Sequence, residues 1–446
     1  MKRLFGTDGI RGTAGAFPLD AKTVSIIGAS LARQLKERTG KAPRIVTGRD
    51  TRESGAQIEA ALHAGAKSEG AECTSAAVIT TPGVAYLTRT HGFDAGVVIS
   101  ASHNPFEDNG LKIFTPSGKK ADDATERGIE ADVAAGIASE IMPGAIDRSR
   151  AEQFNRDYIE NLAAGFPELK LNGKKIMVDC ANGAACHLAP ELLTRFGAEV
   201  ISINNSPDGR NINKDCGSLH LEHLQRAVLD QDVDLGVAYD GDADRALFVN
   251  EKGDVVDGDA TLWIMANFLL DHGKLANRKV IATVMSNIGL ELALRSKGVE
   301  LVRTAVGDKY VLDELLASGS EIGGEQSGHV IFPDKSIVGD GMLTTLFVLE
   351  SIHERGAAFS QLLEGFTAYP QILVNVKVKE KLPFEEVAAI ADSAKAIEGE
   401  LDGTGRLLLR YSGTENLARV MIEGKDQSTI TDQANRLAEV IRTSLN

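Results

Sequence analysis

Three times along this 446-residue chain an apolar strand runs into a polar turn, a helix, a glycine and then a new strand. The first copy ends its strand at Arg49-Asp50 and closes its helix at Gly70-Ala71-Glu72. The second uses Asp179-Cys180, Asn182-Gly183 and Gly197-Ala198-Glu199, and the third Met285-Ser286, Asn287 and Gly298-Val299-Glu300. A glycine just past a helix end takes the left-handed conformation without a Cβ penalty. Strand–helix–strand repetition reads as βαβ units and a largely parallel sheet. The expected fold class is therefore α/β, with three similar modules. Candidate strands are 44–47, 95–100, 175–179, 235–239, 279–284 and 321–323; candidate helices are 54–69 and 341–355.

After Gly365 the pattern changes. Residues 371–380 alternate apolar and polar, as a strand with one buried face does. A helix pattern (383–396), two strands (406–411, 417–423) and a final helix (427–444) follow, which predicts a small α+β domain. Cuts near 150, 250 and 366 divide the chain into four domains, 1–150, 151–250, 251–366 and 367–446. At roughly 100–200 residues per domain the length accommodates them.

Forty-eight basic against 63 acidic residues give a net charge of −15. That argues against nucleic acid or an anionic membrane as the partner. An anionic substrate must then be met by a local group of Arg and Lys. Four cysteines without a C-x-x-C spacing exclude a disulfide framework and predict a reducing, cytoplasmic setting. The N-terminus lacks the apolar core of a signal peptide. The longest apolar stretch, 262–270, is nine residues and contains Asn267, whereas a membrane span needs about 20.

Five segments carry chemistry. Asp240-Gly-Asp-Ala-Asp-Arg245 closes an apolar strand with three carboxylates at i, i+2 and i+4, a pattern that converges on one hard cation. Strand C-termini are also where α/β proteins bind ligands. The alternative is a capped polar turn. An EF-hand is excluded because its sixth loop position must be glycine and is Arg245. Few other ligands stand nearby, which suits Mg²⁺. Ser100-Ala-Ser-His-Asn-Pro105 puts Ser102 at a strand tip. A Ser-His hydrolase is disfavoured there, since neighbours in an extended chain face opposite ways and G-x-S-x-G is absent. An Asn-Pro turn with a capping serine is the other reading. Gly323-Gly-Glu-Gln-Ser-Gly-His329 mimics Walker A spacing but ends in His-Val rather than Lys-Ser/Thr. Its Glu325 and Ser327 suit sugar hydroxyls, unless the loop is only a turn with a capped His329. Arg410-Tyr-Ser-Gly-Thr-Glu-Asn416, between two strands, is either an anion nest or a plain turn. Phe5-Gly-Thr-Asp-Gly-Ile-Arg-Gly12 is weak alone, and Lys112 alone reads as a surface lysine.

Together the five segments supply a serine, a metal-type carboxylate trio, a sugar-type loop and an anion loop, one in each expected domain. This suits phosphoryl transfer on a small phosphorylated substrate. On FGTDGIRG (5–12), SASHNPFEDNG (100–110), DGDADR (240–245), GGEQSGH (323–329) and RYSGTEN (410–416) the chain resembles, end to end, the α-D-phosphohexomutase superfamily. Within it, Gln326 in the third loop resembles the bacterial branch acting on glucosamine phosphates, where glucose and mannose mutases usually carry Met.

The resemblance implies three similar mixed α/β domains and a smaller C-terminal α+β domain around a central cleft. It implies that Ser102, carried as phosphoserine, interconverts glucosamine 6-phosphate and glucosamine 1-phosphate through a 1,6-bisphosphate, and that the glucosamine 1-phosphate feeds UDP-N-acetylglucosamine synthesis. One Mg²⁺ per chain is implied on Asp240, Asp242, Asp244 and a Ser102 phosphate oxygen. Arg11, Lys112 and Arg245 would offset the charge, with Lys112 or His329 as general acid/base. Glu325 and Ser327 would hold the sugar, and Arg410, Ser412, Gly413 and Thr414 the unreactive phosphate. A homodimer is also implied. One departure stands out: Asn416 occupies the place of a usual proline, which loosens the last loop in principle. The nearest alternative is phosphomannomutase/phosphoglucomutase activity; a metal-dependent sugar phosphatase and a non-catalytic sugar-phosphate sensor are further ones.

Overall fold

The computed structural model describes residues 3–6, 8–136, 145–412 and 416–445. The chain forms two compact units, 1–285 with 302–364, and 286–301 with 365–446.

The first unit opens with β1 (Ile10–Thr13), α1 (Ala21–Thr39), β2 (Arg44–Arg49), α2 (Gly55–Ser68), β3 (Glu72–Val78), α3 (Thr81–Thr90), β4 (Ala95–Ile99), β5 (Asp108–Phe114) and α4 (Asp123–Ala135). Its five strands lie in the order β1-β5-β4-β2-β3, with β4, β2 and β3 parallel and β5 antiparallel to both of its neighbours, β4 and β1. After α5 (Ala151–Ala164) come β6 (Lys175–Asp179), α6 (Ala185–Arg195), β7 (Glu199–Ile203), α7 (Glu222–Gln231), β8 (Leu235–Tyr239), β9 (Ala246–Asn250) and β10 (Val255–Val256). This second sheet, β10-β9-β8-β6-β7, repeats the first in order and strand sense. The repeat expected from the sequence is therefore real, but each sheet is mixed rather than largely parallel. The reason is local: the turns after β4 and β8 send the chain straight back as an antiparallel neighbour, without a crossover helix.

α8 (Gly258–Asp271) and β11 (Lys279–Thr283) lead to α9 (Ile288–Ser296), β12 (Glu300–Thr304), α10 (Asp308–Ser318), β13 (Gly323–Gly324), β14 (Val330–Ile331) and α11 (Gly341–Arg355). The third sheet is β12-β11-β13-β14. β4 and β8 are buried along their whole length, as central strands covered on both faces must be. The glycines after the three repeated helices, Gly70, Gly197 and Gly298, all have positive φ, so each closes its helix as the sequence predicts. Among the described residues no helix is long and apolar enough to cross a membrane.

The second unit holds an antiparallel sheet of β15 (Gln371–Lys377), β16 (Arg406–Tyr411) and β17 (Leu417–Glu423) in the order β15-β17-β16, with α12 (Ala388–Leu401) and α13 (Gln427–Leu445). Val376, Ile390, Ile397, Val420, Leu437 and Ile441 form its core. α9 belongs to this unit and is tied to it by hydrogen bonds. Its first N–H, from Ile288, donates to Glu423 Oε2 at 3.1 Å, and Asn287 exchanges two hydrogen bonds with the Tyr369 backbone. A Cβ on Gly289 would stand 2.0 Å from the Thr367 carbonyl oxygen, so only glycine fits this approach.

Candidate active site

The turn after β8 carries Asp240, Asp242 and Asp244. All three are buried, with one oxygen of each within 4.8 Å of the others. Asp240 accepts from the Ser102 hydroxyl at 2.6 Å and from the Arg245 N–H at 3.2 Å. Asp242 accepts from Thr81 Oγ1 at 2.5 Å, and Lys112 Nζ bridges Asp242 and Asp244 at 3.0 and 3.1 Å. Asp242 Oδ1 and Asp244 Oδ1 are buried without a hydrogen-bond donor. Burial and the neighbouring Asp244 and Asp242 push the Asp240 carboxyl well above its ordinary pKa. Crowded carboxylates with unsatisfied oxygens are what a small divalent cation would relieve, so the donor set fits one.

Lys112, on β5, is buried rather than surface-exposed. Burial alone would lower its pKa, but Asp242, Asp244 and Asp8 hold the ammonium well above the lysine range. The sequence reading gave Asp8 no role. Its carboxylate pairs with Arg11, with Lys112 at 3.4 Å and with Lys120 at 2.5 Å. Lys120 in turn reaches Asp308 at 2.7 Å. Asp8 lies inside the FGTDGIRG segment, which was the available signal; Lys120 and Asp308 had none.

Ser102 follows β4 with φ +55°, a left-handed conformation. It is not extended, so the opposite-faces argument fails here: His103 Nδ1 stands 3.2 Å from Ser102 Oγ. The pair is still no hydrolase dyad. Arg245 Nη1 also lies 3.2 Å from that nitrogen, and the Ser102 hydroxyl donates to Asp240. Burial, with Arg245 and Arg11 nearby, lowers His103 to about 4, so the ring is neutral.

The third loop is the hairpin between β13 and β14. Gly328, with φ +90°, approaches β9 so closely that a Cβ would lie 2.4 Å from the Ala246 carbonyl oxygen. This contact sets the loop beside the aspartate turn. Glu325 accepts from the Gly307 N–H at 3.2 Å and from the Ser327 hydroxyl at 3.4 Å. His329 Nε2 accepts the Gly339 N–H at 3.1 Å, while Nδ1 faces Asp244 at 3.7 Å. Burial lowers the imidazole pKa, but Asp244, Asp308 and Glu325 more than offset that and leave it raised. Gln326 turns to Asp257, the cap of α8, at 3.2 Å.

Arg11, His103, Asp244, Arg245, Glu325 and His329 line one cavity of about 520 Å³. The first unit thus brings together every site residue predicted within it. In the second unit Arg410, next to last in β16, lies directly across from Arg419 on β17. The Ser412 N–H donates to Leu417 O at 2.8 Å, and its carbonyl accepts from Lys381 at 2.7 Å. Gly413 and Thr414 lie outside the described residues.

Comparison with known proteins agrees with this architecture. Four domain families match in order: phosphoglucomutase/phosphomannomutase α/β/α domain I over residues 2–139, domain II over 156–253, domain III over 257–369 and the C-terminal domain over 373–440. A phosphoglucosamine mutase of Solibacter usitatus is 48% identical, covering 100% of this chain and 99% of its own. One of Caldicellulosiruptor bescii is 46% identical, covering 100% of both. Among solved structures, a phosphoglucomutase/phosphomannomutase family protein of Burkholderia thailandensis superposes with a TM-score of 0.79 at 24% identity, covering 100% of this chain and 99% of its own. Aspergillus fumigatus N-acetylphosphoglucosamine mutase, in complex with GlcNAc-6P and magnesium, does so at 0.70 and 20%, covering 99% and 96%.

The chain belongs to the phosphoglucomutase/phosphomannomutase family, the α-D-phosphohexomutases. It is a mutase, an isomerase that moves a phosphoryl group within a sugar phosphate, and bacterial phosphoglucosamine mutases are among its full-length relatives. The family is in general magnesium-dependent, and the aspartate cluster fits that ion.

Proposed function

We propose that this enzyme interconverts glucosamine 6-phosphate and glucosamine 1-phosphate. The observation that carries the chemistry is the Ser102 hydroxyl, hydrogen-bonded to a buried three-aspartate cluster within a unit whose cation-lined cavity also holds Glu325 and His329. The sugar assignment draws on full-length relatives 43–48% identical that bear the phosphoglucosamine mutase name.

In this reading Ser102 carries a phosphoryl group. A sugar hydroxyl oxygen forms the new P–O bond as the bond to Ser102 Oγ breaks, and His329, in its neutral form, takes the hydroxyl proton. The resulting 1,6-bisphosphate turns over in the cavity and returns its other phosphoryl group to Ser102 Oγ. A magnesium ion on Asp240, Asp242, Asp244 and the Ser102 phosphate would supply charge neutralisation and Lewis acidity. Lys112 stays an ammonium and, with Arg11 and Arg245, offsets the remaining negative charge. Glu325 and Ser327 receive the sugar hydroxyls. Arg410, Ser412, Gly413 and Thr414 grip the distal phosphate. The cuts at 150, 250 and 366, a cytoplasmic location and a homodimer belong to the same proposal.

The test is a comparison of kcat/KM for glucosamine, glucose and mannose phosphates. Preference for glucosamine phosphate is expected; preference for mannose 1-phosphate overturns the substrate assignment, and net release of inorganic phosphate overturns the reaction.

A further inference from the structure

The Arg49-Asp50-Thr51-Arg52 segment follows β2, and none of the five chemical segments includes it. Arg52 is 1% exposed and Asp50 0%. The guanidinium has five N–H groups, and all five are used. Nε donates to Asp50 Oδ2 at 2.8 Å. Nη1 donates to the carbonyls of Pro105 and, at 3.0 Å, Asp108. Nη2 donates to the carbonyls of Ser102 at 3.0 Å and Asn104 at 2.8 Å. Four of its five acceptors are thus backbone oxygens, three in the loop that carries Ser102 and one on the first residue of β5.

Asp50 completes the clamp from the other side. Its Oδ2 accepts the Ser100 hydroxyl at 2.6 Å, and Ser100 Oγ accepts the Ser102 N–H at 2.9 Å. Both backbone polar groups of Ser102 are therefore fixed by one buried ion pair. The second α/β module adds to it: Asn213 Nδ2 donates to the Ser102 and Asn104 carbonyls at 2.8 and 3.0 Å. A left-handed conformation is strained for a serine and persists only where its surroundings over-determine it. Here that strained conformation goes with a hydroxyl set against Asp240.

We infer that Arg52, with Asp50 and Asn213, is a positioning residue for phosphoryl transfer, holding Ser102 in the left-handed conformation from which its Oγ reaches the aspartate cluster. The inference rests on reading Ser102 as the phosphoryl carrier. A lysine at position 52 keeps the charge beside Asp50 but has three donors and no planar fork, so it cannot hold four carbonyls. Arg52 is buried behind the loop and does not line the cavity that holds Arg11, Glu325 and His329, so substrate affinity should be spared.

The experiment measures kcat, KM for the sugar phosphate, Tm and the phosphoserine content by intact mass in wild type, R52K and N213A. R52K is expected to lose at least thirtyfold in kcat with KM within threefold, and to carry less phosphoserine at equal exposure to sugar bisphosphate. N213A should show the same kcat-selective signature at three- to tenfold, and it serves if R52K does not fold. Wild-type kcat in both folded variants, or losses that appear equally in kcat and KM, overturn the inference. If wild type itself bears no phosphoserine and Ser102→Ala stays active, it is the reading of Ser102 that fails.

Discussion

Ser102 and Asp240 lie 138 residues apart in sequence and 2.6 Å apart in space, the hydroxyl donating to the carboxylate. Asp240 is buried beside two more carboxylates and is unfavourable to ionise. Asp240→Asn relieves that crowding while removing a metal donor. Without magnesium, the variant is expected to melt no lower than wild type. Magnesium should raise the wild-type Tm, because it binds only the folded cluster, and raise the variant's much less. Turnover should fall by about 10²–10³-fold, the range for losing one electrostatic stabiliser of a transition state. Equal magnesium shifts in the two proteins would refute the assignment of the cluster. Ser102→Ala should lose turnover altogether, along with the single phosphoryl group in its intact mass.

The sequence made much of this visible, for a physical reason. The Asp240–Arg245 turn and the Ser102 loop are local: adjacent residues fixed by a strand end. Helix boundaries at Gly341–Arg355 and strands at Arg406–Tyr411 and Leu417–Glu423 match the predicted ones because caps and alternation are local too. What escaped is what only folding creates. Lys112 reads as surface until β5 pairs with β4 and buries it among Asp8, Asp242 and Asp244. Arg52 belongs to none of the five motifs, and its place shows only where four carbonyls from 102–108 close around it. α9 shows the same limit, since its tie to Glu423 crosses 135 residues.

Two buried groups away from the cavity should tilt stability with pH in opposite directions. His63 shares the Thr47 hydroxyl with Glu59, and burial lowers its pKa to about 4. Between pH 4 and 6.5 the unfolded chain binds a proton that the fold refuses. The His63 contribution is therefore fully present above 6.5 and lost as pH falls toward 4. Asp340 caps α11, and burial raises it to about 6. Its contribution is full below 3.8 and lost as pH rises through 6. Denaturant titrations from pH 4 to 7 should therefore give a flatter rise of stability with pH in His63→Gln and a steeper one in Asp340→Asn. Slopes unchanged from wild type would show that neither group titrates differently in the fold.

Gly258 opens α8 and donates its N–H to Gln326 O at 2.9 Å. A Cβ there would lie 2.0 Å from the Glu325 carbonyl oxygen. Gly258→Ala must displace the Glu325 loop or the start of α8. The expected result is a rise in KM for sugar phosphate of about tenfold, equivalent to about 1.4 kcal/mol of lost binding. An unchanged KM would mean that the loop does not read the sugar.

Arg410 and Arg419 face each other directly across β16 and β17. A phosphate matches the planar fork of an arginine. Hydrogen bonds to charged groups contribute about 1.5–3 kcal/mol. Arg410→Gln is therefore expected to raise KM for the sugar phosphate by about 10- to 150-fold, with a smaller change in kcat. Inorganic phosphate supplies a second readout that needs no catalysis. It should raise the Tm of wild type and raise that of the variant less, since the ion binds a site the substitution has weakened. A KM within twofold of wild type, together with an equal phosphate-induced Tm shift, would remove Arg410 from the phosphate loop.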